Sequence, residues 1–508
     1  MTFRLPGRGT IGAVAAGLLV ALSLPPWGFW PLGIIGVAVF ESSIGATPSR
    51  AERLRRGWLF GATWLYLGMC WMWFLTVPGY LIAAALFAAL HAVAALAAPT
   101  GRWRVIGRPA AHTLAEALRF SLPFGGVPLA SLPIGQASSP FAGIAGVGGV
   151  ILLTWFVFQA GFALAGPSPF VPRLARARGV TAAPEWLGVA ALGVAVSAWA
   201  VTPLADSGVR DTGPTLRIAV VQGGGEQGTR AIYTSSEEVL QRHLDATGDL
   251  SPGDADLVLW PENVIDVDDM PFEQSTAHEA IAAEAARLGV PFAVGVTEDS
   301  ADGTAFLNAQ VVVSPSGESV SRYEKVRRVP FGEYMPLRSA LDALGAPVDL
   351  VPRDAVAGTG PAVIDLPDGT RLAVVISWEV FFGGRANEGI ERGASLIVNP
   401  TNGSSYTWTV LQGQQIASSV LRAREQGRWV VQAAPTGFSA FVSPGGDVLQ
   451  RTGVSERAVI IGDVVLREGR TWYSHTGDAP WLAAAAVVLA VAVWRSRRET
   501  RASATQSG

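Results

Sequence analysis

Residues 323–336 of this chain, YEKVRRVPFGEYMP, gather groups suited to covalent chemistry. Lys325 lies here, and it is the only lysine among 508 residues; every other strong cation is an arginine. The two are not interchangeable. Lysine is a compact point charge whose pKa moves on burial, whereas arginine is a planar fork that stays protonated. Glu333 follows eight residues later. The plain alternative is an incidental surface lysine. Two other segments end in reactive residue types. DLVLW at 256–260 runs into Pro261, Glu262 and Asn263, and RLAVVI at 371–376 runs into Ser377, Trp378 and Glu379. A general base, a cation and a nucleophile are the parts that acyl transfer needs. Glu262 would take the proton of Ser377. Lys325 would stabilise the oxyanion, helped by the backbone N–H of Trp378. Spacing alone leaves this open, because Glu, Lys and Ser at strand ends are common.

The elements that must position these residues read as alternating strands and helices. Strands are predicted at 216–221, 256–260, 291–296, 309–313, 319–323, 371–376, 395–399, 429–433, 439–442 and 459–464. Helices are predicted at 235–247, 278–288 and 412–424. Polar residues at the ends of strands that alternate with helices point to an α/β layered sandwich spanning residues 214–470. No internal repeat is visible.

The flanks differ in kind. Charged residues make up 16% of the chain and hydrophobic ones 49%, but the charges are sparse before about residue 204. Apolar segments near 10–24, 28–46, 57–76, 79–98, 106–122, 141–166, 184–204 and 478–494 predict about eight spans, some short for a crossing of about 20 residues. The domains are thus 1–213, a helical membrane bundle of about seven spans; 214–470, a water-facing domain; and 471–508, a last span and a basic tail. Pro25, Pro26 and Trp27 are read as a tight hairpin between two spans. Arginines fall near the N-terminus and in connectors near 47–56, 99–109 and 167–183, while the alternate connectors carry none. The positive-inside rule then places both termini in the cytoplasm and the α/β domain outside. The first span runs into Pro-Pro-Trp without a small-residue cleavage site, so it is not read as a cleaved signal.

A net charge of -3 gives no reason to expect a nucleic-acid partner. A single cysteine, Cys70, excludes a disulfide framework, and five scattered histidines give no metal spacing. No metal or cofactor is expected. Glu116 and Arg119 sit three apart on one helical face. A lone charge at mid-bilayer costs about 2.5–3.5 kcal/mol, so they either pair with each other or form a polar floor beneath a lipid headgroup.

Several motifs together carry a resemblance. They are PPWGFWPL at 25–32, EALRFSLPFGGVPLASLPIGQ at 116–136, WPEN at 260–263, the Lys325 stretch, ISWEVFF at 376–382 and NPTNGSSYTW at 399–408. In these the chain resembles the apolipoprotein N-acyltransferase family, the membrane branch of the nitrilase superfamily. The resemblance implies an αββα sandwich and a Glu-Lys-Cys triad on the outer face of a cell membrane. It implies transfer of an acyl chain from a phospholipid to the enzyme, then to the N-terminal amine of a diacylglyceryl-cysteine lipoprotein. Carried over, Glu262 is the base, Lys325 the oxyanion lysine and Glu333 a second essential carboxylate. Trp378 and Glu379 flank the nucleophile.

The departure is at the nucleophile, where Ser377 stands in place of cysteine. Gly403 and Gln415 also replace an acidic residue and a histidine of the family pattern. Thiols are partly ionised near neutral pH, while a serine hydroxyl needs an adjacent base. Three readings stay open: a serine-based acyltransferase, a catalytically impaired paralogue acting as a membrane scaffold or lipoprotein-binding partner, and an engineered trap. A nitrile or amide hydrolase of the soluble type is disfavoured by the spans and by the apolar stretch 331–351.

Overall fold

The computed structural model describes the chain except for residues 1–6, 46–48, 166–184, 229–232, 407–408 and 507–508. It forms two compact units, Met1–Ala205 with His475–Gly508, and Asp206–Ser474.

The first unit is helical. Arg8–Ser23 and Pro31–Ile44 are separate helices. The break follows from Pro25 and Pro26, which cannot continue a helix, and Pro31 starts the next one at a position where its missing N–H costs nothing. Small residues let these helices approach closely: a Cβ on Gly36 would stand 2.7 Å from the Ala16 carbonyl oxygen. Three helices among the described residues are long and apolar enough to cross a membrane: Val77–Ala97, Ile144–Ala165 and Ala479–Ser503. Arg8–Ser23, Pro31–Ile44 and Leu187–Ala200 are apolar but shorter.

Two of the predicted arginine connectors are helix instead. Arg50–Gly68 begins at Ser49, whose hydroxyl accepts from the Glu52 N–H at 3.2 Å while Glu52 accepts from the Ser49 N–H at 3.2 Å. This reciprocal cap starts the helix seven residues before the apolar run. The buried Arg53 then donates to the carbonyls of Ala95 at 2.7 Å, Leu96 at 2.5 Å and Ala98, closing the C-terminus of Val77–Ala97. Similarly, Arg104 and Arg108 lie in the helix Arg104–Arg119, and both pair with the buried Glu41. These three arginines thus serve internal partners. The third predicted connector, 167–183, lies outside the described residues.

The second unit is a four-layer α/β sandwich built from two sheets. The first contains β1 (Val209–Gln222), β2 (Leu257–Leu259), β3 (Ile265–Val267), β4 (Phe292–Asp299), β5 (Phe306–Val313), β6 (Ser319–Glu324) and the last strand, β13 (Ala458–Gly469). Its order is β13-β1-β2-β4-β5-β6, with β3 also on β4. The second sheet contains β7 (Val363–Asp365), β8 (Arg371–Val374), β9 (Leu396–Pro400), β10 (Val430–Ala433), β11 (Ala440–Val442) and β12 (Val448–Leu449) in the order β12-β11-β10-β9-β8-β7. Strand alternation sets the layers. Leu216, Ile218 and Val220 of β1, with Leu257 and Leu259 of β2, pack between the sheets against Leu372, Val374, Leu396 and Val398. The intervening Ala219, Val221, Val258 and Trp260 face outward, under Ala246, Ile281 and Ala285 of the helices Ser236–Thr247 and Thr276–Leu288. On the other sheet, Gly383–Glu391 packs against β8 and Thr409–Gln426 against β10.

Candidate active site

Glu262 leaves β2 and Lys325 directly follows β6, two strands that β4 and β5 separate. Asn308 on β5 bridges the gap. Lys325 Nζ donates to Glu262 Oε1 at 2.7 Å and to Glu333 Oε1 at 2.7 Å. Asn308 Nδ2 donates to the same two oxygens, at 2.9 Å and 3.1 Å. One ammonium and one amide therefore each span both carboxylates. The Lys325 N–H donates to the Asn308 carbonyl at 2.8 Å, and Glu333 Oε2 accepts from the Val329 N–H at 2.7 Å, which closes the loop between lysine and glutamate. Lys325 is 2% exposed and Glu262 3%. Burial pushes the ammonium toward the neutral form, but Glu262 and Glu333 outweigh it and hold Lys325 above its ordinary range. An unpaired charge this deep would be prohibitively costly, so the three groups depend on one another.

Ser377 begins the tight turn Ser377–Phe381 after β8, with a φ of 50°. A non-glycine residue in this left-handed region stores roughly 1–3 kcal/mol of strain, which the surrounding structure must impose. The Thr401 hydroxyl donates to Ser377 Oγ at 3.1 Å, and Gln415 Nε2 donates to Thr401 Oγ1 at 2.6 Å. Because Ser377 Oγ accepts here, its own proton is available to a base. Gln415 is thus the start of a relay that orients the serine.

Among the described residues no hydrogen bond joins Ser377 to Glu262 or Lys325. Their relation is fixed by Glu379. Its carboxylate, fully buried, accepts from the N–H groups of Val326 and Arg327, both at 3.0 Å, and of Ile376 at 2.9 Å. The Tyr323 hydroxyl reaches both its oxygens at 2.8 Å. One side chain therefore ties the residues on either side of Lys325 to the residue before Ser377, across the two sheets. Burial pushes the Glu379 carboxyl up, against the backbone donors that favour its ionised form. Trp378 packs edge-on against Phe381 and Phe382, with ring centroids 5.5 and 5.9 Å away, and the Arg327 guanidinium lies 4.2 Å over Phe382. Burial, with Glu333 and Glu262 beside it, pushes the Tyr406 phenol up to about 12.

Asn308, Thr401 and Tyr406 join the site although none is among the residues expected there. Asn308 and Gln310 are polar residues at alternate positions of an otherwise apolar strand, FLNAQVVV, and both reach the WPEN segment; Gln310 bonds the Trp260 carbonyl at 3.2 Å. That interruption of an apolar strand was the available signal.

Glu116 and Arg119, in the other unit, pair with each other. Arg119 makes two bonds to the Glu116 carboxylate, at 2.8 and 2.6 Å, and both residues are fully buried. Arg119 Nη1 also donates to the carbonyls of Val127 and Leu129, both at 2.6 Å, and His91 Nε2 lies 3.3 Å from Glu116. The pair braces the loop that follows its helix. Among the described residues no group of histidine, cysteine and acidic side chains could hold a metal ion.

Residues 217–474 match the carbon-nitrogen hydrolase family, and residues 16–163 match the apolipoprotein N-acyltransferase N-terminal domain. Curated relatives named apolipoprotein N-acyltransferase align over almost their whole length. The protein of Azotobacter vinelandii is 29% identical, covering 97% of this chain and 96% of its own. That of Methylococcus capsulatus is 28% identical, covering 96% of each. An amidase from Nesterenkonia sp. aligns with 52% of this chain and 94% of its own at 20% identity and a TM-score of 0.37. With its hydrolase-family sandwich and the helical domain in front of it, the chain belongs to the carbon-nitrogen hydrolase family, in the apolipoprotein N-acyltransferase branch.

Proposed function

We propose that this protein moves a fatty acyl chain from a phospholipid to the N-terminal amine of a diacylglyceryl-cysteine lipoprotein, through an acyl-enzyme on Ser377. The observation that carries the reading is the intact buried network of Lys325, Glu262, Glu333 and Asn308. A disused site could exchange a desolvated ammonium between two carboxylates for packed apolar residues at no loss, and often a gain, of stability, so its retention supports use. Relatives of this name align along the whole chain, and the retained network weighs more than the exchange of cysteine for Ser377, which is what the alternative of an impaired scaffold rests on.

The proposed chemistry assigns these groups as follows. Glu262 Oε1 is held by Lys325 and Asn308, so Oε2 does the proton work. Ser377 Oγ, fixed by Thr401, attacks the donor's ester carbonyl and gives its proton to Glu262. The charge that develops on the carbonyl oxygen is met by Lys325 Nζ and the backbone N–H of Trp378. The tetrahedral intermediate expels the lysophospholipid oxygen, which takes the proton from Glu262. The acceptor amine then attacks the serine ester, Glu262 takes the amine proton, and Ser377 leaves with it. Glu333 completes the charge around Lys325, and Glu379 is a positioning residue. The helices of the first unit would span the cell membrane about eight times, with both termini cytoplasmic and the hydrolase-like unit outside. The arginines near the N-terminus and in the C-terminal helix support that orientation.

Incubation of the intact protein with phospholipid should add an acyl mass located at Ser377, absent in Ser377→Ala. Ser377→Cys should raise the transfer rate, because a thiol is the better nucleophile and leaving group in an otherwise intact site. Absence of any adduct, together with no gain in Ser377→Cys, would sink the reading.

A further inference from the structure

A cleft of about 290 Å³ in the second unit opens between two segments that carry site residues. Its walls include Asn263, which follows Glu262, and Asn402, which follows Thr401. Neighbouring residues stand about 3.8 Å apart along the chain. The cleft therefore borders both the base and the hydroxyl that orients Ser377. Thr234, Ser236, Thr297, Ser404 and Thr436 add hydroxyls, Glu226, Arg242 and Asp266 add charges of both signs, and Val239 and Pro435 are its main apolar parts. A wall of hydroxyls, amides and charged groups does not suit an acyl chain, which would be placed against apolar side chains. It suits an extended peptide, whose backbone carbonyls need donors.

Two such donors are present. Asn402 Oδ1 accepts from the Ser404 N–H at 3.0 Å and from its hydroxyl at 2.7 Å. A backbone N–H can only donate, so the oxygen and nitrogen of this amide are fixed, and Asn402 Nδ2 has no partner among the described residues. Asn263 Oδ1 accepts from the Thr297 hydroxyl at 2.8 Å, and its Nδ2 likewise has no partner among the described residues. Asn263 sits at a φ of 54°, a conformation that asparagine tolerates better than most residues.

We infer that this cleft holds the peptide of the acceptor, the residues that follow its acylated N-terminal cysteine, with Asn263 and Asn402 donating to backbone carbonyls. The inference rests on the acyl-transfer reading and extends it to the acceptor's polar half. Recognition through the backbone constrains peptide length more than sequence.

Two measurements test it. The first compares acceptors that end at the diacylglyceryl-cysteine amide with acceptors carrying three further residues. The wild type should favour the longer one by about tenfold in kcat/KM, the worth of two modest hydrogen bonds. Asn263→Asp combined with Asn402→Asp keeps the accepting oxygens and removes the donors, and should bring that preference to about twofold or less. Equal kcat/KM for both acceptors in the wild type, or an unchanged preference in the double variant, overturns the inference. The second needs no turnover. A diacylglyceryl-cysteine peptide with a benzophenone at its third residue should crosslink to the segments around Ser236, Ser404 and Thr436; adducts confined elsewhere overturn the inference. Crosslinking there without any acyl mass at Ser377 would leave the cleft assignment standing and remove the acyl-transfer reading.

Discussion

Glu379→Gln is the sharpest test of how this site is assembled. The native carboxylate accepts three backbone N–H groups and the Tyr323 hydroxyl, all within 3.0 Å. Glutamine keeps one accepting oxygen. If that oxygen stays with Val326 and Arg327, the new NH2 group faces the Ile376 N–H, donor against donor. One buried donor is left unsatisfied, at about 1–3 kcal/mol, and the surviving bonds lose their charge assistance. The variant should fold with lower thermal stability, and the turn bearing Ser377 should shift relative to Lys325. A misplacement of about 1 Å costs on the order of 10²-fold in rate. The assay is the rate of acyl mass gain at Ser377 in phospholipid micelles, below the variant's unfolding temperature. Val294→Ala, in the core beneath the outer helices, provides a control that weakens packing without touching the link. It should lose stability and keep the acylation rate. A folded Glu379→Gln protein that acylates Ser377 at the wild-type rate would refute the claim that Glu379 sets Lys325 against Ser377.

Lys325→Arg keeps the charge but cannot place one nitrogen 2.7 Å from two carboxylates while offering a compact oxyanion donor; acyl-enzyme formation should fall by about 10²-fold or more in the same mass assay. The folded pKa of Lys325 is raised above its ordinary 10.5, so its stabilising contribution is complete below that pH and is lost only as pH climbs through the higher folded value. Acylation measured from pH 7 to 10 should therefore show no alkaline fall from this group, and a fall that disappears in Lys325→Met would count against the assignment. In the helical unit, Arg119→Leu leaves Glu116 buried without its partner and should cost about 3–5 kcal/mol, read as a lowered unfolding midpoint in detergent. Replacing both residues with leucine should cost less than the single change, and a single variant as stable as the double one would show that the pair is not needed.

The strands and helices that carry the site were legible because their core faces recur with period. LRIAVV and DLVLW alternate between two buried faces, and Thr276–Leu288 follows Ser275, whose hydroxyl caps it through the His278 N–H at 3.1 Å. The strands β3, β7 and β12, of two or three residues each, are not among those predicted. The helix Gly383–Glu391, GGRANEGIE, has poor intrinsic propensity. Its packing on β8 sustains it, and a Cβ on Gly389 would stand 2.4 Å from Ala373 Cβ. The arginine connectors were misread for a related reason. Charge marks a segment as polar, but the Ser49–Glu52 cap and the carbonyls at the end of Val77–Ala97 make those arginines part of helices.

The sequence alone determined which residue types were available: one lysine, two glutamates near it, and a serine at a strand end. Those are local facts, since each follows from a few neighbouring positions. Only the tertiary structure decided that Glu262, Lys325 and Glu333 form one network, because β4 and β5 stand between the strands and Asn308 must reach across. It likewise decided that Gln415 and Thr401 orient the serine, and that Glu379 ties the two sheets together at the site. These links join residues up to 63 positions apart. No local pattern encodes contacts of that range, since they exist only once distant strands have paired and the two sheet faces have packed.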